Sequence, residues 1–474
     1  MILEQLYLGC LSQASYFVAD PEGDALVVDP RRDVDVYLEL AERHGRPITR
    51  VALTHFHADF LAGHLELAER TGARLHLGAR AQAEFDFTAL ADEATMELGP
   101  SVTVRVLETP GHTPESVCYA IHDRASDGPD PHAVLTGDTL FNGDVGRPDL
   151  LVGTGWSAED LARLHYQSLQ EKLLSLPDET LVYPGHGPGS ACGKSLSGDT
   201  VTTIGAQRTS NPALTLPDVE AFVARACAGQ GAAPAYFVHD AAWNAQARQP
   251  LASVLEAARR PLERDEVLQL RDEGASVLDV RDVDAAAAGC LVGSTWVGLE
   301  GRFASWAGSV VDLERPLVLL VEPERVDEAA TRLGRIGLDT VVGHLAGGPA
   351  ALATDDAELQ FWERLSATSV QELLASDAPP QVLDVRGPGE VAEGAIAGSL
   401  HVPLVELPAR LEEVAATLGE QPTVVTCGSG YRSAIACSLL RQAGVSSVAE
   451  LAGGHAAWLA AGGAVVVPAD VASS

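Results

Sequence analysis

Short apolar runs punctuate the first half of the chain, and each stops at a turn. Leu26-Val27-Val28 stops at Asp29, and Val51-Ala52-Leu53 at Thr54-His55-Phe56-His57-Ala58-Asp59-Phe60. Residues 102–106 alternate apolar with polar and lead to Thr109-Pro110-Gly111-His112-Thr113. Ala133-Val134-Leu135 leads to Thr136-Gly137-Asp138-Thr139, and Leu181-Val182-Tyr183 to Pro184-Gly185-His186-Gly187. Their length and alternation predict β-strands, the continuous runs being fully buried ones. Far downstream, Val424-Val425-Thr426 predicts another buried strand, followed by Cys427-Gly428-Ser429-Gly430-Tyr431-Arg432-Ser433 and a helical pattern over 434–442.

The turns carry the chemistry. Gly and Pro fix tight backbone geometry there, and each turn ends in a metal-binding type of side chain. Two imidazoles and a carboxylate, His55, His57 and Asp59, share one loop; His112, Asp138 and His186 come one from each of three others. A borderline metal ion can collect such N and O donors. A dinuclear metallohydrolase of this pattern would carry a further His after the Asp. Here Phe60 stands in that place, and a phenyl ring cannot donate to a metal, which argues for a single ion. Asp29, at another strand end, either hydrogen-bonds a site histidine or anchors the turn at Pro30.

With these loops in view, the chain resembles the metallo-β-lactamase superfamily, and within it the iron-dependent persulfide dioxygenases. The resemblance implies an αββα sandwich with the metal along one edge of two sheets. It implies His55, His112 and Asp138 as ligands of one Fe(II), with three positions open for substrate sulfur and O2. His57, Asp59 and His186 would then hydrogen-bond the ligands or their waters. Arg147, in Gly146-Arg147-Pro148-Asp149, matches a segment near the bound thiol in that family. A guanidinium there can hold an anionic substrate; a structural pair with Asp149 or Asp144 is the alternative. The small-residue loop Gly187-Pro188-Gly189-Ser190-Ala191-Cys192-Gly193-Lys194 looks like that of bacterial persulfide dioxygenase–rhodanese fusions and could approach a substrate through backbone N–H groups.

Cys427 is the second reactive centre. A cysteine between a strand and a helix N-terminus, with small residues between, meets inward N–H groups and a favourable helix dipole, which raise its thiolate fraction. This resembles the rhodanese active loop, to which Val382-Leu383-Asp384-Val385-Arg386 and Glu390 add that family's first half. Four residues separate Cys427 from Arg432; cysteine phosphatases use five, a wider cradle. The resemblance implies Cys427 as nucleophile, Arg432 as oxyanion holder, and Gly428, Ser429, Gly430 and Tyr431 as the substrate-binding loop. Cys437, in the following helix, is expected to pack in the core.

An internal repeat accounts for the middle of the chain. Residues 316–348 align without a gap on residues 422–454, and Val277-Leu278-Asp279-Val280-Arg281 echoes residues 382–386. In the first copy Val321 takes the nucleophile position and Val326 the arginine position, while Glu322 and Glu324 make the would-be cradle negative. That copy cannot carry sulfur by this chemistry. The expected organisation is α/β throughout: an αββα domain over 1–255, a rhodanese-like domain lacking the cysteine over 256–360, and an active rhodanese over 361–474, the two copies built on parallel sheets. Residues 204–250 are expected to wrap up the first domain, with a surface loop at 229–234.

Composition narrows the rest. The 474 residues fit about three domains. A net charge of −34 argues against nucleic acid and anionic membrane as partners. Seven cysteines, none with CxxC spacing, fit a reducing cytoplasm; Cys10, Cys118, Cys227 and Cys290 read as small core residues. No signal peptide or membrane-length apolar run is evident. A homo-oligomer is expected. The fusion architecture implies oxidation of a persulfide of glutathione or another low-molecular-weight thiol to sulfite, coupled to sulfur transfer among persulfide, sulfite and thiosulfate. The rivals are a dizinc thioester hydrolase resembling glyoxalase II, fused to a sulfurtransferase, and a sulfur carrier with no catalysis at the metal.

Overall fold

In the computed structural model, which describes residues 1–124, 128–150, 155–193, 196–352 and 358–467, the chain divides into two compact units. The first is Met1–Leu251 with Gly334–Gly337, the second Ala252–Leu333 with Leu338–Ser474.

The first unit holds two six-stranded sheets. One runs in the order β1 (Ile2–Leu8), β2 (Gln13–Ala19), β3 (Ala25–Val28), β4 (Ile48–Ala52), β5 (Arg74–Gly78), β6 (Thr88–Leu90). The other contains β7 (Thr95–Glu97), β8 (Val102–Glu108), β9 (Val117–Asp123), β10 (Ala133–Gly137), β11 (Leu181–Pro184) and β12 (Thr202–Thr203), again in sequential order. Strand residues alternate between faces, and the cores follow that alternation. Tyr16, Val18, Leu26 and Val28 meet Val104, Val106, Tyr119 and Leu135 between the sheets. Their neighbours Phe17, Ala19 and Val27 face outward onto α1 (Asp35–His44) and α2 (His64–Thr71) through Tyr37, Leu40 and Leu67. On the far side Leu107, Cys118, Ala120 and Val134 pack on Ala162 and Leu169 from the helical stretch beginning at Ala158 and on Phe222. The layering is αββα, as expected, and it explains why these strands are apolar at nearly every position.

Pairing sets where the strands end. β3, β4 and β5 are mutually parallel. β8 and β10 each run antiparallel to β9, and β10 runs parallel to β11. The C-terminal ends of β8, β10 and β11 therefore share one edge of their sheet. Gly137 ties that edge to the end of β4. Its φ is +49°, and a Cβ there would lie 2.5 Å from Thr54 Oγ1, so only glycine lets the two strand ends approach.

The second unit contains the repeat. The first copy has strand order Pro261–Leu262, Val341–Leu345, Leu317–Leu320, Ser276–Asp279, Thr295–Trp296, and the second Glu363–Leu365, Val448–Leu451, Thr423–Thr426, Gln381–Asp384, Leu400–His401, every pair parallel. The topologies are identical. So is one internal device: Arg281 Nη2 bonds Asp279 and the Gly289 carbonyl at 2.6 and 2.7 Å, and Arg386 Nη2 bonds Asp384 and the Gly394 carbonyl at 2.7 and 2.8 Å. Of the cysteines read as core, Cys118, Cys290 and Cys437 are buried, whereas Cys10 and Cys227 are only partly so. Among the described residues no helix is long and apolar enough to cross a membrane.

One carboxylate locks the opposite end of the sandwich. Asp20, just past β2, accepts from the backbone N–H groups of Glu22, Ser101 and Val102 at 2.7–2.8 Å. Burial pushes its carboxyl upward, but these donors outweigh burial and hold it below the usual carboxylate range. Its contribution is complete above the unfolded value of about 4 and fades as pH falls through the lower folded value. Asp20→Ala is expected to cost on the order of 2 kcal/mol at neutral pH and to flatten the acid limb of stability, as measured by urea unfolding at a series of pH values.

Candidate metal centre and thiol loop

Each strand end delivers its side chain to one place. His55 follows β4, His112 follows β8, Asp138 ends β10 and His186 follows β11; all four are buried. The outer nitrogen of each of the first two rings is already engaged. His55 Nδ1 lies 2.9 Å from Thr54 Oγ1, and His112 Nδ1 2.8 Å from the Arg147 carbonyl. Their Nε2 atoms are left turned to Asp138 Oδ2, at 4.0 and 3.5 Å. Among the described residues Oδ2 has no hydrogen-bond partner although it is buried. Two imidazole nitrogens and an orphaned carboxylate oxygen thus converge with their lone pairs on one point, within 4.8 Å of one another. A buried acceptor left bare at this cost fits a cation site.

The remaining predicted groups surround this triad. His186 Nδ1 is 2.7 Å from Asp138 Oδ1, and its Nε2 is 2.8 Å from Asp59 Oδ2. Burial pulls the His186 imidazole down, but the two carboxylates prevail and hold it well above its ordinary value. Burial and then the neighbouring His57 drive His55 the other way, to the neutral form a metal ligand needs. His57 Nε2 lies 3.0 Å from Asp29 Oδ1, and Asp29 also accepts from the Thr54 N–H and hydroxyl at 2.7 and 2.8 Å. Of the two readings left open for Asp29, the contact with a site histidine is the one seen, and its carboxylate also holds Thr54 at the start of the histidine loop. The Phe60 ring lies 4.3 Å from that of His57 and 6.4 Å from that of His186.

Two expectations need correction. Arg147 does not offer a free guanidinium. Its Nε and Nη2 form a two-pronged pair with Asp149 at 2.7 Å, and further donors go to the Ala191 and Gly231 carbonyls. The pairing alternative is what the fold contains, and Arg147 reaches the site through its carbonyl. Nor does the loop after His186 hold all its N–H groups free. Those of Gly187, Ser190 and Cys192 bond the Ser12 carbonyl, the Gly187 carbonyl and Ser190 Oγ; Lys194 lies outside the described residues. Two groups were not singled out by sequence. Asn244 clamps the histidine loop through the His57 and Phe60 carbonyls and the Ala62 N–H; nothing local marks a residue nearly two hundred positions away. Cys192 stands with Asp59 and His186 as a second group of close potential donors. Its place in the small-residue loop just after His186 was the available signal. Burial, Asp59 and Asp138 push its thiol well up.

In the second unit Cys427 ends its strand, buried, and accepts from the Gly430 N–H at 3.1 Å. Gly430 has φ +99° and starts the helix Tyr431–Gln442. Arg432 pairs with both oxygens of Glu390 at 2.6 and 2.7 Å. That uses two of its five N–H donors, and the guanidinium also lies over the Trp306 ring of the first copy at 6.0 Å. The Tyr431 hydroxyl is committed to the Gly298 carbonyl and its ring packs on Trp296 at 5.4 Å, so its side chain serves the contact between copies rather than the cradle. At the equivalent place in the first copy Val321 is buried and Glu322 and Glu324 are exposed.

Comparison with known proteins agrees with both halves. Residues 8–186 match the model of the metallo-β-lactamase superfamily, and residues 366–461 that of the rhodanese-like domain. A hydroxyacylglutathione hydrolase of Polaromonas sp. is 35% identical over 39% of this chain, a match spanning 66% of that relative's length. An uncharacterized Mycobacterium leprae protein is 33% identical over 45% of this chain and 99% of its own length. Among solved structures, a metallo-β-lactamase from Staphylococcus aureus has 27% identity and a TM-score of 0.63, covering 72% of this chain and 98% of that one. ETHE1 from Myxococcus xanthus has 32% identity, covering 47% and 88%, with a TM-score of 0.40. The chain thus carries a metallo-β-lactamase domain followed, toward its C-terminus, by a rhodanese-like domain.

Proposed function

We propose that the chain is an iron-dependent persulfide dioxygenase joined to a rhodanese sulfurtransferase. The observation that carries the first half is the three-donor set of His55, His112 and Asp138, with Phe60 at the sequence position where a dinuclear metallohydrolase would carry a further His. Two imidazoles and one carboxylate suit a ferrous ion with open positions, where a soft sulfur anion and O2 can be brought together. The residues do the rest. Thr54 and the Arg147 carbonyl fix the rings of His55 and His112 so that their Nε2 atoms face inward. His186 holds Asp138 by its other oxygen. Phe60 and Phe141, whose rings lie 6.4 and 6.3 Å from that of His186, flank it. The net reaction is RSSH + O2 + H2O giving RSH and sulfurous acid. The substrate is a persulfide of glutathione or another low-molecular-weight thiol.

At the second centre the Cys427 thiolate attacks the sulfane sulfur of thiosulfate. A Cys–S bond forms, the S–S bond breaks, and sulfite leaves with the electron pair; the reverse step makes thiosulfate. The loop N–H groups and Arg432 bind the oxyanion. Sulfite made at the first centre is the natural acceptor at the second.

The hydroxyacylglutathione hydrolase relatives favour a second reading, a dizinc thioester hydrolase. Metal analysis separates the two. Protein loaded anaerobically with iron should hold a single ion and consume O2 with persulfide; two zinc ions, esterase activity and no O2 uptake would establish the rival. Phe60→His should admit a second ion, raising metal content measured by mass spectrometry. Asp138→Ala should lower persulfide-dependent O2 uptake at least about 100-fold; unchanged uptake sinks the dioxygenase assignment. Cys427→Ser should leave O2 uptake intact while sulfite accumulates in place of thiosulfate.

A further inference from the structure

The sulfur of Cys427 has a buried carboxyl behind it. Cys427 Sγ is 3.4 Å from Ser433 Oγ, and Ser433 Oγ is 3.4 Å from Glu450 Oε1. Glu450 stands on Val448–Leu451, the strand paired with the one that ends at Cys427, and is fully buried. Its Oε2 accepts from Arg364 Nε at 2.9 Å. Its Oε1 also presses on the active loop, since a Cβ on Gly430 would lie 3.0 Å from it. The Ser433 hydroxyl has one hydrogen and three acceptors in reach: Sγ, Oε1 and, at 3.0 Å, the Gly430 carbonyl.

The inactive copy serves as an internal control. The gapless alignment sets Val321, Asp327 and His344 against Cys427, Ser433 and Glu450, and strand pairing sets Pro261 against Arg364. All four are replaced together. His344 instead turns Nδ1 to the Ala258 carbonyl, at 2.9 Å. Both copies share one topology, so a network needed for folding would persist in both. This one occurs only where the thiol occurs.

We propose that Glu450 is the proton partner of Cys427, acting through Ser433. As the thiol proton passes to Ser433 Oγ, the hydroxyl proton passes to Glu450 Oε1, leaving a thiolate and a neutral carboxyl. The buried loop gains no net charge in this step, which avoids the cost of creating a second anion there. The proton stays on Glu450 while sulfur is gained or lost, because thiolate and persulfide are both anions. Glu450 is a positioning residue, since it touches neither substrate nor sulfur. Burial raises its carboxyl above the ordinary range, against the opposing pull of Arg364 and Ser433, in keeping with a group that takes up a proton readily.

Other charges face the pair. Arg364 has Asp284 as a second partner, and Cys437 adjoins Glu450. On the Cys427 side stand Arg432 with Glu390, then Asp384, Arg386 and His455.

The consequence for sulfur transfer rests on the rhodanese reading, but the test does not. In the full-length protein, alkylation of Cys427 by iodoacetamide is followed against pH by peptide mass spectrometry. The wild type should show two ionisations, the second when Glu450 loses its proton and the thiolate acquires a charged neighbour. Glu450→Gln should remove the second. Ser433→Thr should keep the wild-type profile, and Ser433→Ala should shift it toward that of the Gln variant. A two-step profile surviving in Glu450→Gln, or a single step common to both proteins, overturns the proposal. The expected profiles without any sulfur transfer from thiosulfate by the wild type would sink the rhodanese reading and leave the proton pair standing.

Discussion

Asp138 is the group on which the first unit's chemistry depends. A fully buried carboxylate needs compensation for both oxygens, and the fold supplies it unequally. Oδ1 has His186, which in turn reaches Asp59. Oδ2 faces the inward nitrogens of His55 and His112 and, among the described residues, has no hydrogen bond. Burial opposes the charge, yet His186 and the other two imidazoles hold the carboxyl ionised far below its ordinary range. The strand ends, the Gly137 approach to Thr54 and the Asn244 clamp are all consistent with keeping these few atoms fixed. The energetic outcome is a negative oxygen facing two inward imidazole nitrogens, which is a description of affinity for a cation.

Much of this was legible because the information is local. A strand followed by a tight turn and a donor can be read within ten residues, and that pattern located His55, His112, Asp138, His186 and Cys427. The layers were legible too, since apolar positions on both faces require cover on both faces. What escaped notice involves partners distant in sequence. The Arg147 guanidinium is consumed by Asp149 and by carbonyls of two other segments, and only the tertiary fold reveals that it is spent. Asn244 and Glu450 act on loops far from them in the chain. Asn244 works through backbone carbonyls, which leave no residue-type signature, and Glu450 through Ser433 and Arg364, brought to it only by the fold.

The repeat shows how a fold can persist while its chemistry is removed. Both copies keep the Asp–Arg device that pins the turn after the second sheet strand, with nearly the same distances. Only one keeps the thiol, the small-residue loop and the buried carboxyl. The first copy has not become idle, because it touches the active loop: the Gly298 carbonyl accepts from Tyr431, Trp296 packs on the Tyr431 ring, and Trp306 lies beneath Arg432. Those contacts restrict a loop that must otherwise be assembled from glycine, and glycine loses the most conformational entropy on ordering.

The two centres solve one problem by opposite means. Each must handle sulfur anions inside protein, where charge is costly. The first turns a bare carboxylate oxygen toward the inward nitrogens of His55 and His112 and leaves room for positive charge to arrive from outside. At the second, the arginines Arg432, Arg364 and Arg386 are already paired with Glu390, Glu450 and Asp384. That centre must therefore steady its anion with oriented N–H groups and by keeping the adjacent carboxyl neutral. A metal-independent thiolate next to a buried glutamate is tenable only if the two are not both charged, so the position of Glu450 constrains how Cys427 can work.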